Sequence, residues 1–151
     1  MKYTVVLALA GLGFGLGACE TGRGMFRDRS DLVAAPSICA TKQFEIYFAD
    51  SEAGLTESAR QAISMTATQL RGCDIRSVKV LGLADARGGA AANLSLSERR
   101  ARTVAEALTG AGWPAPAFDV SAGGDEGAVT ADGVSEPLRR RTEVLVEAAP
   151  K

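Results

Sequence analysis

The chain has 151 residues, enough for one ordinary domain and too few for two. Apolar residues at 46% and charged residues at 23% describe a globular chain rather than a disordered one. A net charge of −1 argues against a nucleic-acid binder held by a basic field, and the lack of histidine excludes Ser-His-Asp and Cys-His catalysis together with histidine zinc sites.

Residues Met1 to Ala18 read as an export signal. Lys2 is followed by an apolar run through Val5, Leu7, Leu9, Leu12, Phe14 and Leu16. At about 16 residues the run falls short of the roughly 20 that a permanent membrane-spanning helix needs. It ends Leu16-Gly17-Ala18-Cys19, which resembles a bacterial lipobox. That resemblance implies cleavage before Cys19 and acylation of its thiol, and several acyl chains would hold the protein firmly on a membrane. Glu20 makes the outer membrane the expected destination, by resemblance to lipoprotein sorting. The alternative is an ordinary signal peptide in which Cys19 is incidental. Residues 19–42 are expected to form the lipidated N-terminus and a tether, and residues 43–148 the folded domain.

With Cys19 acylated, Cys39 and Cys73 remain as an even pair in an oxidising compartment, and a disulfide between them is expected. Two buried free thiols are the alternative. Two thiols 34 residues apart with no histidine make no tetrahedral metal site, so neither a metal nor another cofactor is expected.

Within the domain, Phe44, Ile46 and Phe48 alternate as a strand. Thr56 is placed to cap a helix with Glu57 in its first turn, and Leu55, Ala59, Ile63, Thr66 and Leu70 form its apolar stripe. Gly72 ends that helix. Ser77 to Leu83 is a second strand, followed by a loop over Asp85 to Ala92. Leu94, Ala101, Val104, Ala105 and Leu108 mark a second helix, stopped by Gly110 and Gly112. Phe118 to Ser121 is a short third strand, Gly123 to Pro137 a flexible acidic loop, and Arg140 to Glu147 the last strand. The order β-α-β-α-β-β predicts an α+β two-layer sandwich, with a mixed four-stranded sheet and both helices on one face.

Asp85 falls just past a strand end, where loops present side chains to ligands. Asn93 and Arg100 are seven apart, so they share a helix face. A carboxylate and a guanidinium converging on one pocket match a zwitterion, whose carboxylate takes two hydrogen bonds from arginine while its ammonium sits on aspartate. The alternative is a purely structural Asp85–Arg100 ion pair, with Arg87 competing for the carboxylate.

Spread over Phe44 to Val146, these residues resemble the OmpA-like domain of peptidoglycan-associated lipoproteins and porin-type outer-membrane proteins. The resemblance is carried by Tyr47-Phe48, Asp85, Gly88, Asn93, Leu96-Ser97, Arg100-Ala101 and the run Arg139-Arg140-Arg141-Thr142-Glu143. It implies non-covalent binding of peptidoglycan through the diaminopimelate of the stem peptide. Asp85, Arg100, Asn93 and, more weakly, Arg140 are the expected contacts, and truncating Arg100 is expected to leave the fold intact. Where the family has Gly-His-Thr-Asp this chain has Gly82-Leu83-Ala84-Asp85, and Ala49 replaces the usual aspartate after the Tyr-Phe pair, so polar groups around the pocket are lost.

The expected protein is therefore a binding module with no enzymatic activity, lipid-anchored at the periplasmic face of the outer membrane and tethering it to the cell wall. A wall hydrolase or transpeptidase lacks a nucleophile here, and Asp125 and Glu126 in a glycine-rich loop make a weak catalytic pair. The remaining rival is a structural subunit of an envelope complex, with its own protein partners and weak or lost wall binding.

Overall fold

A computed structural model describes residues 37–151. The signal segment, the acylation site Cys19 and most of the expected tether, including Leu32 and Val33, lie outside them. Ile38 is described and stands exposed. Among the described residues no helix is long and apolar enough to cross a membrane.

The strands are β1 (Lys42–Tyr47), β2 (Asp74–Gly82), β3 (Phe118–Ala122) and β4 (Arg141–Ala149), and the helices are α1 (Glu57–Gln69) and α2 (Ala90–Gly110). They form one four-stranded sheet in the order β1-β4-β2-β3. β4 is antiparallel to both neighbours, whereas β2 and β3 run parallel around the α2 crossover. This is the expected mixed-sheet α+β architecture. Alternation sets the core: Ile46 on β1, Val78 and Val80 on β2, and Val144 and Val146 on β4 are buried on the helix side. The first helix starts as its sequence dictates, with the Thr56 hydroxyl accepting from the Ala59 amide at 3.1 Å.

The structure departs from the expected elements in several places, and α2 begins at Ala90, inside the loop expected over Asp85 to Ala92. Leu94, placed on the buried stripe of α2, is half exposed, and the stripe runs instead through Asn93, Ser97, Arg100, Ala101, Val104 and Leu108. Polar groups occupy the first turns of the buried face, which an apolar count alone misaligns. β2 begins at Asp74, three residues before the expected start, because its antiparallel pairing with β4 continues past a register irregularity to Asp74↔Ala149. The loop expected to be flexible, 123–137, closes on itself: Ala128 donates to Asp125, Thr130 to Val134 and Glu136 to Ala128.

Two features hold the layers. Cys39 and Cys73 are joined in a disulfide, as the even pair predicted. At the other end of β2, a Cβ on Gly82 would stand 2.0 Å from the Ser97 carbonyl oxygen of α2. Only glycine allows the helix to approach this closely, and the approach brings Ser97 and Arg100 over the strand end.

Candidate functional site

Among the described residues, the buried polar and charged ones are Asp85, Asn93, Ser97, Arg100 and Thr142, and all gather at the end of the sheet where Gly82 pairs with Thr142. Three connections meet there: the β1–α1 loop, the β2–α2 loop and the loop from β3 to β4.

Arg100 is fully buried. Its Nε donates to the Glu52 carbonyl at 2.8 Å, Nη1 to the Leu83 carbonyl at 3.0 Å and Nη2 to the Ala49 carbonyl at 3.2 Å. Its guanidinium also lies 5.0 Å from the centre of the Phe48 ring. Ser51, in the left-handed region at φ 57°, bends the β1–α1 loop between the two residues whose carbonyls Arg100 holds. A guanidinium carries five N–H donors, so one on Nη1 and one on Nη2 remain beyond these bonds. Burial pushes the Arg100 guanidinium below its ordinary pKa; the Asp85 charge opposes this, and the Arg140 charge adds to it.

This arrangement changes one expectation. Truncating Arg100 is not a surface change, because three carbonyls would lose their donor and Phe48 its cationic partner. Its removal is therefore expected to destabilise the fold.

Asp85 is 6% exposed. Its Oδ2 accepts from Arg140 Nη1 at 3.0 Å, and its Oδ1 accepts from the Arg87 backbone amide at 3.3 Å. Arg87 Nε lies 4.0 Å from the same carboxylate, while Arg87 Nη1 reaches across to Asp50 at 2.8 Å. The ion pair of Asp85 is therefore with Arg140 and Arg87. Arg100 feels its field from behind without bonding to it.

Asn93 is buried with the others but gives its amide to Asp125 Oδ2 at 3.0 Å. The Ser97 hydroxyl accepts from the Gly124 amide at 3.0 Å, and Ala84 donates to the Gly124 carbonyl at 2.7 Å. Together they fasten the β3–β4 loop over the start of α2. Among the described residues, four buried side-chain N or O atoms have no protein partner, and three of them lie at or just before the start of β4: Arg139 Nε, Arg140 Nε and Thr142 Oγ1. Among the described residues, a pocket of about 720 Å³ with mixed polar and apolar walls lies beside Cys73 and Trp113, and a more apolar one of about 700 Å³ lies between α2 and β3.

Asp85 thus pairs with Arg140, whereas Arg100 is spent on backbone carbonyls and Asn93 on Asp125. Asp50, Asp125 and the carbonyls of Ala49 and Glu52 were not anticipated. The arginine-rich opening of β4 hinted at Asp85's partner, but carbonyl acceptors leave no mark in a sequence.

Chemically, the site is a largely buried cluster of charged and polar side chains at one end of an α+β sandwich. The chain belongs to the OmpA family, whose model matches residues 47–141, well over half of the chain. Outer membrane protein A of Serratia odorifera is 33% identical over 135 residues, an alignment that covers 81% of this chain and 55% of that protein. The chain therefore spans little more than half of that relative. Among solved structures, the OmpA-like domain of FopA1 from Francisella tularensis is 27% identical, with a TM-score of 0.61 and 73% of each chain covered. The cell wall anchor of the T6SS from Pseudomonas aeruginosa is 25% identical, with a TM-score of 0.58, covering 72% of this chain and 82% of that one.

Proposed function

We propose that this domain binds peptidoglycan without cleaving it, by gripping the zwitterionic end of diaminopimelate in the stem peptide. The observation that carries the reading is a nearly buried Asp85 carboxylate, bonded to Arg140 and standing in the field of a buried Arg100 with unused donors. The chain's likeness to the cell wall anchor of the T6SS from Pseudomonas aeruginosa supports the same class of ligand. The ligand carboxylate would take donors from Arg140 and Arg100, while its ammonium shares Asp85. Asn93 acts through Asp125 to hold the wall of the cleft. A thioether-linked lipid on Cys19 would place the domain at the periplasmic face of the outer membrane, with residues 19–42 as the tether and 43–148 as the wall-binding domain.

Sedimentation with purified diaminopimelate-type wall tests the binding. The chain should pellet with the wall and release no soluble fragments. Asp85→Asn should lower affinity about 30-fold or more, as expected when one side of a desolvated charge pair is removed. A chain that stays in the supernatant overturns the reading, and released fragments would make the protein an enzyme. Cys19→Ser should wash from membranes; continued retention refutes the lipid anchor.

A second reading, a subunit of an envelope assembly, is favoured by that same likeness to the cell wall anchor of the T6SS. A stoichiometric partner recovered from detergent extracts after wall digestion would support it.

A further inference from the structure

The sheet ends on a strand with a single neighbour. β3 is last in the order β1-β4-β2-β3, so among the described residues its outer edge pairs with no strand. An unpaired edge is a template for another chain unless something blunts or covers it. Beside this edge lies the more apolar pocket, of about 700 Å³, walled by Phe118, Val120 and Ala122 of β3 and by Leu94 and Ala105 of α2. Leu94 is 51% exposed and Val120 44%, so the fold gathers apolar area there and leaves it in water.

We propose that this edge and groove take a second copy of the chain, with β3 pairing antiparallel to β3 about a two-fold axis at Val120. Register favours a copy of the same strand. Around Val120, Phe118 falls opposite Ala122 and Asp119 opposite Ser121, so large meets small and no like charges face each other. Spacing favours it too. α2 packs equally on β2 and β3, so it rides above the seam between them. With strands about 4.8 Å apart, the two α2 helices come to lie about 10 Å apart, the ordinary distance for packed helices. They close the groove between them, one running opposite to the other. Charge agrees with this. Gly82, paired with Ala122, meets Ser97 of α2, and two strand residues back from Ala122 correspond to roughly four helical residues, which sets Val120 level with about Arg102. Arg102 on the rim then comes within reach of the partner's Glu106, and Glu106 makes no ion pair of its own among the described residues.

The test uses the full chain carrying Cys19→Ser, so that an introduced thiol is the only free one beside the Cys39–Cys73 disulfide. Sedimentation velocity between about 1 and 300 µM should show a reversible monomer–dimer equilibrium. Val120→Lys puts two like charges on the axis and should weaken the dimer about tenfold or more. Register is read from two further variants, Asp119→Cys and Ser121→Cys. Mixed, they should cross-link to each other on oxidation, because opposed residues stand about 5 Å apart; alone, neither should cross-link, because diagonal residues stand about 8 Å apart, beyond disulfide reach. A chain that stays monomeric at the highest concentration overturns the proposal. So does a dimer that Val120→Lys leaves intact, or one in which each cysteine variant cross-links to itself as readily as to the other.

Discussion

The two ends of the sheet are built on opposite principles. Where Asp74 pairs with Ala149, the interior is apolar: Leu70, Cys73, Leu108 and Trp113 pack together, and a covalent bond from Cys39 closes the end. Where Gly82 pairs with Thr142, the interior holds Asp85, Asn93, Ser97, Arg100 and Thr142. Apolar burial stabilises by about 25 cal/mol per Å², whereas burying polar groups costs free energy unless every donor and acceptor finds a partner. A domain that wanted only stability would build both ends like the first. The polar end is where stability is given up for a charged surface held in fixed geometry, and a single helix, α2, spans the change: polar at Asn93, Ser97 and Arg100, apolar at Ala101, Val104 and Leu108.

The contrast can be broken from either side. Arg100→Ala should have the largest effect, a loss of about 3 to 5 kcal/mol in urea denaturation, because the Ala49, Glu52 and Leu83 carbonyls lose their buried donor. A loss below about 1 kcal/mol would mean that the β1–α1 loop opens and those carbonyls reach water. Removing the disulfide as Cys39→Ser with Cys73→Ser should cost about 3 to 4 kcal/mol in the loop-entropy model for a separation of 34 residues. Muropeptide affinity of the folded fraction should stay unchanged, and a changed affinity would show that the two ends are coupled. Asn93→Ala should cost about 1 to 2 kcal/mol by freeing Asp125 from α2, read as a lower unfolding midpoint and faster amide exchange over residues 123–126. The smallest change runs the other way. Thr142→Val replaces a buried hydroxyl that has no partner with a methyl group, and should stabilise by about 1 kcal/mol. Destabilisation there would mean that the hydroxyl holds an ordered water.

The cleft was partly legible before the structure. Asp85 could be placed because it follows an alternating strand directly, and Arg100 because seven residues bring it onto the face of Asn93. The partners were less legible for different reasons. Arg100 binds backbone carbonyls 48 and 51 residues before it, and every residue type carries a carbonyl. Asp50 and Arg87 are exposed residues 37 positions apart, and a sequence shows charge without direction. Asp125 looked like one acid in a pliable loop, and becomes a fixed acceptor only when Ser97 and Ala84 pin Gly124 beside it.

Periodicity, capping and the even cysteine pair determined the elements, their two-layer packing and the disulfide, because those follow from local sterics and from which face must leave water. Tertiary structure alone decided the roles of the charges. It buried one arginine as a brace, gave Asp85 to two others, and fixed Asp125 against Asn93. Coulomb energy depends on distances in space, and those are set only when strands and helices that are remote in the chain have come together.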